Sequence, residues 1–335
     1  MDVSAPVGND DGRLDCRFVA GARSVASLED DLRQGLLTPP RVFPPKYFYD
    51  ERGSHLFDRI CETPEYYLTR TEDALLSDSA ERIIAAAEPD DILEIGSGMS
   101  RKTLRLLDAC EAASLYPSYS PFDISEDALR LAAEQLLQRY PWLRVSLLVG
   151  DYDAGLANLP GFKDRRLICF LGSTIGNLEH GSAVAFLEEI RHRMSPGDSL
   201  LLGADRVKPA PILNAAYNDD DGLTAAFNMN LLSVLNTEAD CDFEPGKFSH
   251  RAAFNAELSR IEMHLISQAD QEIRIGSLDT TIQIERGEAI LTEISRKFTV
   301  GELQSLLGES GFDIEFHFTP GDNAFSLVLA RPRDF

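Results

Sequence analysis

The residues best able to do chemistry stand at the ends of short apolar runs. Asp91 to Thr103 reads DILEIGSGMSRKT. Ile92, Leu93 and Ile95 make an apolar run, Gly96-Ser97-Gly98 closes it, and Leu104, Leu106 and Leu107 give the next segment a helical face. Strand, glycine turn and helix start in that order let a ligand lie against the main chain. Lys102 opens the helix and could pair with a ligand carboxylate. Asp123 ends a second run, where a carboxylate can accept from two ribose hydroxyls or simply precede a helix start at Ser125 and Glu126. Asp151 and Tyr152 end a third. The aspartate could accept from an adenine amino group and the tyrosine offer its backbone N–H, or both could belong to an ordinary loop. The fourth run closes as FLGSTIGN over 170–177. Gly172 and its small neighbours leave room there. Asn177 carries both a donor and an acceptor, as a ligand with an ammonium and a carboxylate would require, or as a turn asparagine would also have.

Farther along, Leu291, Glu293 and Ser295 share one strand face by the period-two rule, and Ile290, Thr292 and Ile294 the other. Glutamate and serine on one face can hold a two-nitrogen ring such as imidazole; a solvent-facing polar side is the alternative. Met263 aligns with Ile261 and Leu265 as core. Tyr47, Tyr49, Tyr66 and Tyr67 flank a short helix marked by Leu56, Phe57 and Ile60, in segments expected to be loops.

Two ligand classes use a glycine turn of this kind. The dinucleotide fingerprint needs a third glycine where Arg101 stands. Enzymes that use S-adenosylmethionine (SAM) carry a first motif similar to Glu94-x-Gly96-x-Gly98.

Alternation of strand and helix must position these groups. Strands are expected at 91–96, 118–122, 144–149, 166–171 and 199–204, and helices at 102–113, 126–139 and 182–194. That spacing implies a parallel sheet covered on both faces, with ligands beyond the carboxyl ends of the strands. Before it, residues 17–36 read as helix, the prolines 39, 40, 44 and 45 as an extended connector, and Thr69 with Glu72 as a capping box for a helix reaching Ala87. At Lys208 the rhythm breaks. A helical region over 211–236 contains the acidic turn 218–222, expected to be a solvated helix break. Candidate antiparallel strands follow at 260–268, 272–284 and 289–296. A helix at 300–309 and a hairpin, 312–318 and 324–330, close the chain. The expected organisation is a mobile tail (1–16), a substrate-binding domain (17–71 and 208–297) and a ligand-binding α/β domain (72–207 and 298–335).

The 335 residues carry a net charge of −23, which repels polyanions and argues against a nucleic-acid partner. No apolar run approaches the ~20 residues that span a bilayer. The start, MDVSAPVGNDDGRLD, lacks the basic and apolar segments of a secretory signal. Cys16, Cys61, Cys110, Cys169 and Cys241 have no paired spacing, which points away from zinc or disulfides and towards a reducing, cytoplasmic setting.

Taken together, PPKYFYD (44–50), PEYYLTRTE (64–72), LEIGSGMSRKT (93–103), PFD (121–123), FLGSTIGN (170–177), LLGAD (201–205), AAFNMN (225–230), RIEM (260–263) and LTEISRKF (291–298) resemble the histidine-specific N-alpha-methyltransferases of ergothioneine biosynthesis. The resemblance implies a Rossmann-like class I methyltransferase domain, α/β, with a second α+β substrate-binding domain. It implies transfer of three methyl groups from SAM to the alpha-amino group of free L-histidine. The methylated amino acid would pass through mono- and dimethyl forms to histidine betaine (hercynine). Gly96, Lys102, Asp123, Asp151 and Tyr152 fall on cofactor positions. Tyr66, Asn177, Tyr217, Glu293 and Ser295 fall on substrate positions, with Tyr49, Gly172 and Met263 close by. Asn177 and Tyr217 would hold the amino-acid head, Glu293 and Ser295 the imidazole, and Tyr49 and Tyr66 would close the pocket, with Asn177 and Tyr49 nearest the chemistry. No metal or membrane is implied, and a monomer is expected. Leu68 and Asn218 depart from the family pattern, where proline and aspartate are expected. A methyltransferase for another free amino acid such as tryptophan, and a non-catalytic SAM-binding protein, are the rival readings.

Overall fold

The computed structural model describes residues 12–161 and 164–333. In chain order its elements are β1 (Leu14–Phe18), α1 (Leu28–Gly35), β2 (Arg41–Val42), α2 (Glu51–Ile60), α3 (Tyr67–Ala87), β3 (Asp91–Ile95), α4 (Thr103–Ala112), β4 (Ser118–Asp123), α5 (Glu126–Arg139), β5 (Val145–Val149), β6 (Arg166–Phe170), α6 (His180–His192) and β7 (Ser199–Asp205). There follow α7 (Ala210–Ala216), α8 (Leu223–Glu238), β8 (Phe248–Asn255), β9 (Arg260–Ser267), β10 (Gln271–Ile275), β11 (Thr280–Ile284), β12 (Ala289–Arg296), α9 (Val300–Glu309), β13 (Phe312–Phe318) and β14 (Phe325–Pro332). The chain divides into two compact units. One comprises 1–25, 70–206 and 298–335, the other 26–69 and 207–297.

The first unit is built on an eight-stranded sheet in the order β1-β5-β4-β3-β6-β7-β14-β13. From β1 to β7 all neighbours run parallel; β14 is antiparallel to β7 and β13 to β14. Both faces are covered. On β3, Ile92 joins a core with Leu76, Ile83, Leu106 and Leu129, while Leu93 and Ile95 join the opposite core with Phe186, Leu187 and Leu306. After β3 the chain moves outward to β4 and β5, then returns to β6 on the other side of β3. The order therefore reverses between β3 and β6. Beyond the carboxyl ends of such a pair an α/β sheet has its ligand crevice.

In the second unit, β2-β12-β9-β8 form one sheet and β10-β11 a separate hairpin. The alternating apolar residues Ile261, Met263 and Leu265 of β9 are buried with Phe227, Leu231 and Leu235 of α8.

Several expectations change. Leu14, Asp15 and Cys16, expected in a mobile tail, pair with Val145, Ser146 and Leu147 of β5; residues 1–11 lie outside the described residues. Helix over 17–36 is confined to α1, which Ser27 caps through a capping box with Asp30. Before it Gly21 approaches so closely that a Cβ there would lie 2.9 Å from the Ala154 Cβ. The strand expected over 272–284 is split by a turn at Gly276–Leu278 into β10 and β11. The strand β8 has no counterpart in the sequence reading, because His250 interrupts its inward face between Phe248 and Ala252 while Ala253 stands on the other, which blurs the alternation.

The acidic turn breaks the helical region between α7 and α8 with Asn218, Asp220 and Asp221 exposed, but Asp219 is not solvated. Asp219 is buried, and its carboxylate accepts from the backbone N–H groups of Leu223 at 2.6 Å and Thr224 at 2.8 Å. It closes the start of α8. Asp219→Ala is expected to cost ~1–2 kcal/mol, as loss of a helix cap does. Denaturant unfolding monitored by circular dichroism checks this, and an unchanged midpoint would remove the capping role.

Candidate functional site

In the first unit the candidate cofactor residues lie where the strand order places a crevice. Gly96 and Gly98 follow β3 in left-handed backbone, at φ +68° and +48°. A Cβ on Gly98 would meet nothing within 4 Å, so the turn faces open space. Asp123 ends β4, and its carboxylate accepts the Gly98 N–H at 2.9 Å and the Ser125 N–H at 3.0 Å. It thereby ties the glycine turn to the neighbouring strand. Asp151 follows β5 and accepts the Asp153 N–H at 2.8 Å. Tyr152 packs edge-on against Phe170 and Phe186, and burial pushes its phenol above the ordinary range. The glycine turn and the carboxylates beyond adjacent strand ends fit a nucleoside with a charged tail: backbone for close approach, carboxylates for hydroxyl and amino donors.

Glu94 does not face this space. It is buried on the Ile92 side of β3, bonded by the Thr103 hydroxyl and by the Tyr119 hydroxyl at 2.5 Å. Burial raises its carboxyl to about 7 against the pull of those two bonds. The Tyr119 oxygen also lies 2.7 Å from Ser100 Oγ, so Glu94 braces the turn from beneath.

Lys102 does not wait for a ligand carboxylate alone. Its Nζ lies 2.5 Å from Glu72, whose side chain is fully buried on α3. The same carboxylate accepts the Gly172 N–H with both oxygens, at 2.9 and 3.0 Å. Gly172 has φ +79°, and a Cβ there would sit 3.1 Å from Lys102 Nζ. The turns after β3 and β6 are thus fastened to one buried carboxylate. Glu72 is a functional residue the sequence reading missed. It read as the far end of a capping box, but α3 begins at Tyr67, which places Glu72 inside the helix. The available signal was a carboxylate in register with Leu68, Leu75 and Leu76 on the apolar face. Asn177 closes the short turn after β6. It is half-buried, and among the described residues its amide makes no side-chain hydrogen bond.

In the second unit the candidate substrate residues gather on β12 and the elements beside it. Glu293 pairs with Met263 and Ser295 with Ile261 across the antiparallel ladder to β9. Directly opposed residues share a face, so Glu293, Ser295, Met263 and Ile261 lie together. Leu291 does not join them, contrary to strict alternation. The register slips between Leu291 and Glu293 in a bulge, which re-aims the side chains beyond it. Thr292 fastens the bulge, sharing its one hydroxyl proton between Asn228 Oδ1 at 2.7 Å and the Met263 carbonyl at 3.1 Å. The glutamate is partly buried, and its desolvation lifts the carboxyl to about 7 against the opposing charge of Lys297.

Tyr217 has its hydroxyl 2.8 Å from Ser295 Oγ. Tyr66 is buried edge-on to Tyr217 at 6.1 Å between ring centres, and burial drives its phenol well above the usual range. Tyr49 is the exposed member, resting edge-on against Phe57 and Phe227. Lys297, absent from the expected site, is 1% exposed and reaches both Tyr217 and Ser295. Period-two spacing from Glu293 and Ser295 could have found it. Of the two departures, Leu68 is buried core and Asn218 donates to the Asn214 and Ala252 carbonyls at 2.7 and 3.0 Å.

Among the described residues no cluster of His, Cys, Asp and Glu could hold a metal, and no helix is long and apolar enough to cross a membrane.

A family model described as histidine-specific methyltransferase, SAM-dependent, matches residues 28–332. Histidine N-alpha-methyltransferase of Mycolicibacterium smegmatis is 42% identical over 93% of this chain and 97% of its own. The protein of that name from Mycobacterium tuberculosis is 40% identical over 98% of this chain and 99% of its own. Ergothioneine biosynthesis protein 1 of Schizosaccharomyces pombe is 28% identical over 87% of this chain and 38% of its own. With a glycine turn and carboxylates suited to a nucleoside cofactor in one unit, and a near-complete match to the family, the chain belongs to the histidine-specific, SAM-dependent methyltransferases.

Proposed function

We propose that this enzyme moves three methyl groups, one at a time, from SAM to the alpha-amino nitrogen of free L-histidine, giving hercynine, the first step of ergothioneine biosynthesis. The observation that carries the substrate is the Glu293 and Ser295 pair on one face of the bulged strand, opposite Met263. A carboxylate and a hydroxyl side by side match the two ring nitrogens of imidazole and offer nothing comparable to an all-carbon ring edge.

SAM, when bound, supplies the electrophilic methyl group. Gly96, Asp123, Asp151 and Tyr152 would hold it, with Lys102 shared between Glu72 and the cofactor's carboxylate. In the first unit, Asn177 offers its free amide to the amino-acid head, beside the room left at Gly172. In the second, Glu293 and Ser295 take the ring, Met263 packs beneath it, and Tyr49 and Tyr66 exclude water. Tyr217 supports Ser295. The attacking amine must be neutral, and a model alpha-amino group has a pKa of about 7.7–8.0. Alignment supplies most of the protein's contribution, and each released proton can leave through water.

The same reading makes the enzyme a cytoplasmic monomer with small-molecule partners alone. The net charge of −23 supports the exclusion of nucleic acid.

The deciding experiment is incubation of the purified chain with SAM and an equimolar mixture of histidine, tryptophan and tyrosine, read by mass spectrometry. Histidine carrying one, two and then three added methyl groups is the expected result. Methylated tryptophan in its place, or an unmodified mixture, would overturn the assignment.

A further inference from the structure

Behind the Glu293 and Ser295 face lies a buried cluster in which Lys297 can only donate and Tyr217 donates to Ser295. Lys297 Nζ is 2.9 Å from the Tyr217 hydroxyl and 2.9 Å from Ser295 Oγ, and Tyr217 donates to Ser295 Oγ at 2.8 Å. The ammonium also lies 4.9 Å from the centre of the Tyr217 ring. Tyr217, Ser295 and Lys297 are all at most 5% exposed. An ammonium can only donate, so both hydroxyl oxygens accept from Lys297. Ser295 accepts a second time from Tyr217. A hydroxyl oxygen has two lone pairs, and both are then occupied. What remains to Ser295 is its own proton.

We propose that Lys297 is a positioning residue that sets the polarity of this cluster, so that Ser295 can only donate. The site then takes the neutral imidazole, with an unprotonated nitrogen towards Ser295 and its N–H towards Glu293, and rejects the imidazolium. The inference rests on the reading that Glu293 and Ser295 hold the ring. An imidazolium has two N–H donors and no acceptor; one of them would meet the Ser295 proton head-on. The Lys297 charge opposes it as well. Tyr66 lies beside Glu293, and Tyr217, Cys61 and Tyr49 lie around Tyr66; Lys297 is the charge that acts on Glu293. Tyr66 is held neutral by burial. Arg260, Glu262 and Arg296 belong to the opposite face of the β9 and β12 ladder. Glu293 and Lys297 are therefore the charges that decide which ring form binds.

Two measurements test this on the full chain saturated with S-adenosylhomocysteine. Calorimetric titration of histidine between pH 7.5 and 5.5, in two buffers of different ionisation enthalpy, gives affinity and protons exchanged. The competent form needs an ionised carboxylate and a neutral ring. Wild-type affinity should therefore fall by about 100-fold as the pH drops, for groups near 7 and 6.5, with proton release at neutral pH. In Lys297→Met, Ser295 is free to accept, the imidazolium becomes admissible, and the fall should shrink to tenfold or less with protons taken up instead. Lys297→Arg should retain the wild-type slope. A folded Lys297→Met protein with the wild-type slope and proton count overturns the proposal. Nitrogen-15 spectra of ring-labelled histidine bound to the wild type at pH 6 give the second measurement and need no variant. One protonated and one bare ring nitrogen are expected; two protonated nitrogens overturn the proposal. Glu293→Gln separates the underlying reading, since unchanged histidine affinity there would remove the ring assignment itself.

Discussion

Glu293→Ala is expected to weaken histidine binding by ~2–4 kcal/mol, the loss of a charged hydrogen bond in a partly buried site, which is a ~30- to 1,000-fold rise in the KM for histidine. Affinity for SAM should not change, because the cofactor groups belong to the other unit of the chain. The free enzyme should respond in the opposite direction. The Glu293 carboxyl sits at about 7 in the fold, above its ordinary 4.5, because burial disfavours its charge. A raised carboxyl destabilises the fold where it is forced to ionise, above about pH 7. That penalty fades as the pH falls towards 4.5, where folded and unfolded states both hold the proton. Glu293→Gln keeps the shape and drops the charge. It should gain ~1–2 kcal/mol at pH 8 and almost nothing at pH 4, a discounted conversion of the shift because the side chain keeps some contact with water. Denaturant midpoints at the two pH values and steady-state kinetics on the same preparations check both halves. A variant that loses stability at pH 8, or one with wild-type KM, would contradict the account of Glu293 as a desolvated carboxylate kept for the substrate.

Glu72→Ala is expected to cost about 3 kcal/mol of stability. Removing one partner of a buried pair leaves the other uncompensated, and the Gly172 N–H loses its acceptor. The figure is set towards the lower end of such losses because the Lys102 side chain remains 22% exposed to water. Cofactor affinity should fall too, since the turns after β3 and β6 are both anchored to this carboxylate. The double variant Glu72→Ala with Lys102→Met should be more stable than Glu72→Ala alone, because the orphaned charge is gone. Gly203→Ala should reproduce part of the effect without removing either charge, since its Cβ would collide with Glu72 Oε1. Urea unfolding of the four proteins, with SAM titration on each, tests the arrangement. If Glu72→Ala unfolds at the wild-type midpoint, the carboxylate is not the anchor of the two turns.

The first unit was largely legible in the sequence because its signals are local. A short apolar run, a small-residue turn and a helical period recur at close spacing, and parallel strands joined that way permit few arrangements. α5, β12, α9 and β13 were placed to the residue, and Asp123, Asp151 and Asn177 stood out as candidates because each follows an apolar run. β1 and β8 escaped, since an edge strand of mixed polarity carries weak alternation.

By itself, then, the sequence determined the class of fold, the glycine turn, the carboxylates at strand ends and the pairing of a glutamate with a serine near the chain's end. Tertiary structure alone decided which polar groups are already engaged. Glu72 is more than a hundred positions from Gly203 and a hundred from Gly172, yet its carboxylate lies against both. The bulge that separates Leu291 from Glu293 depends on Thr292 meeting Asn228 of α8. Lys297 becomes the director of Ser295 only because Tyr217, eighty residues earlier, completes the triangle. Periodicity reports which way a side chain points along its own element, but a hydrogen bond between distant segments is set by how those segments pack.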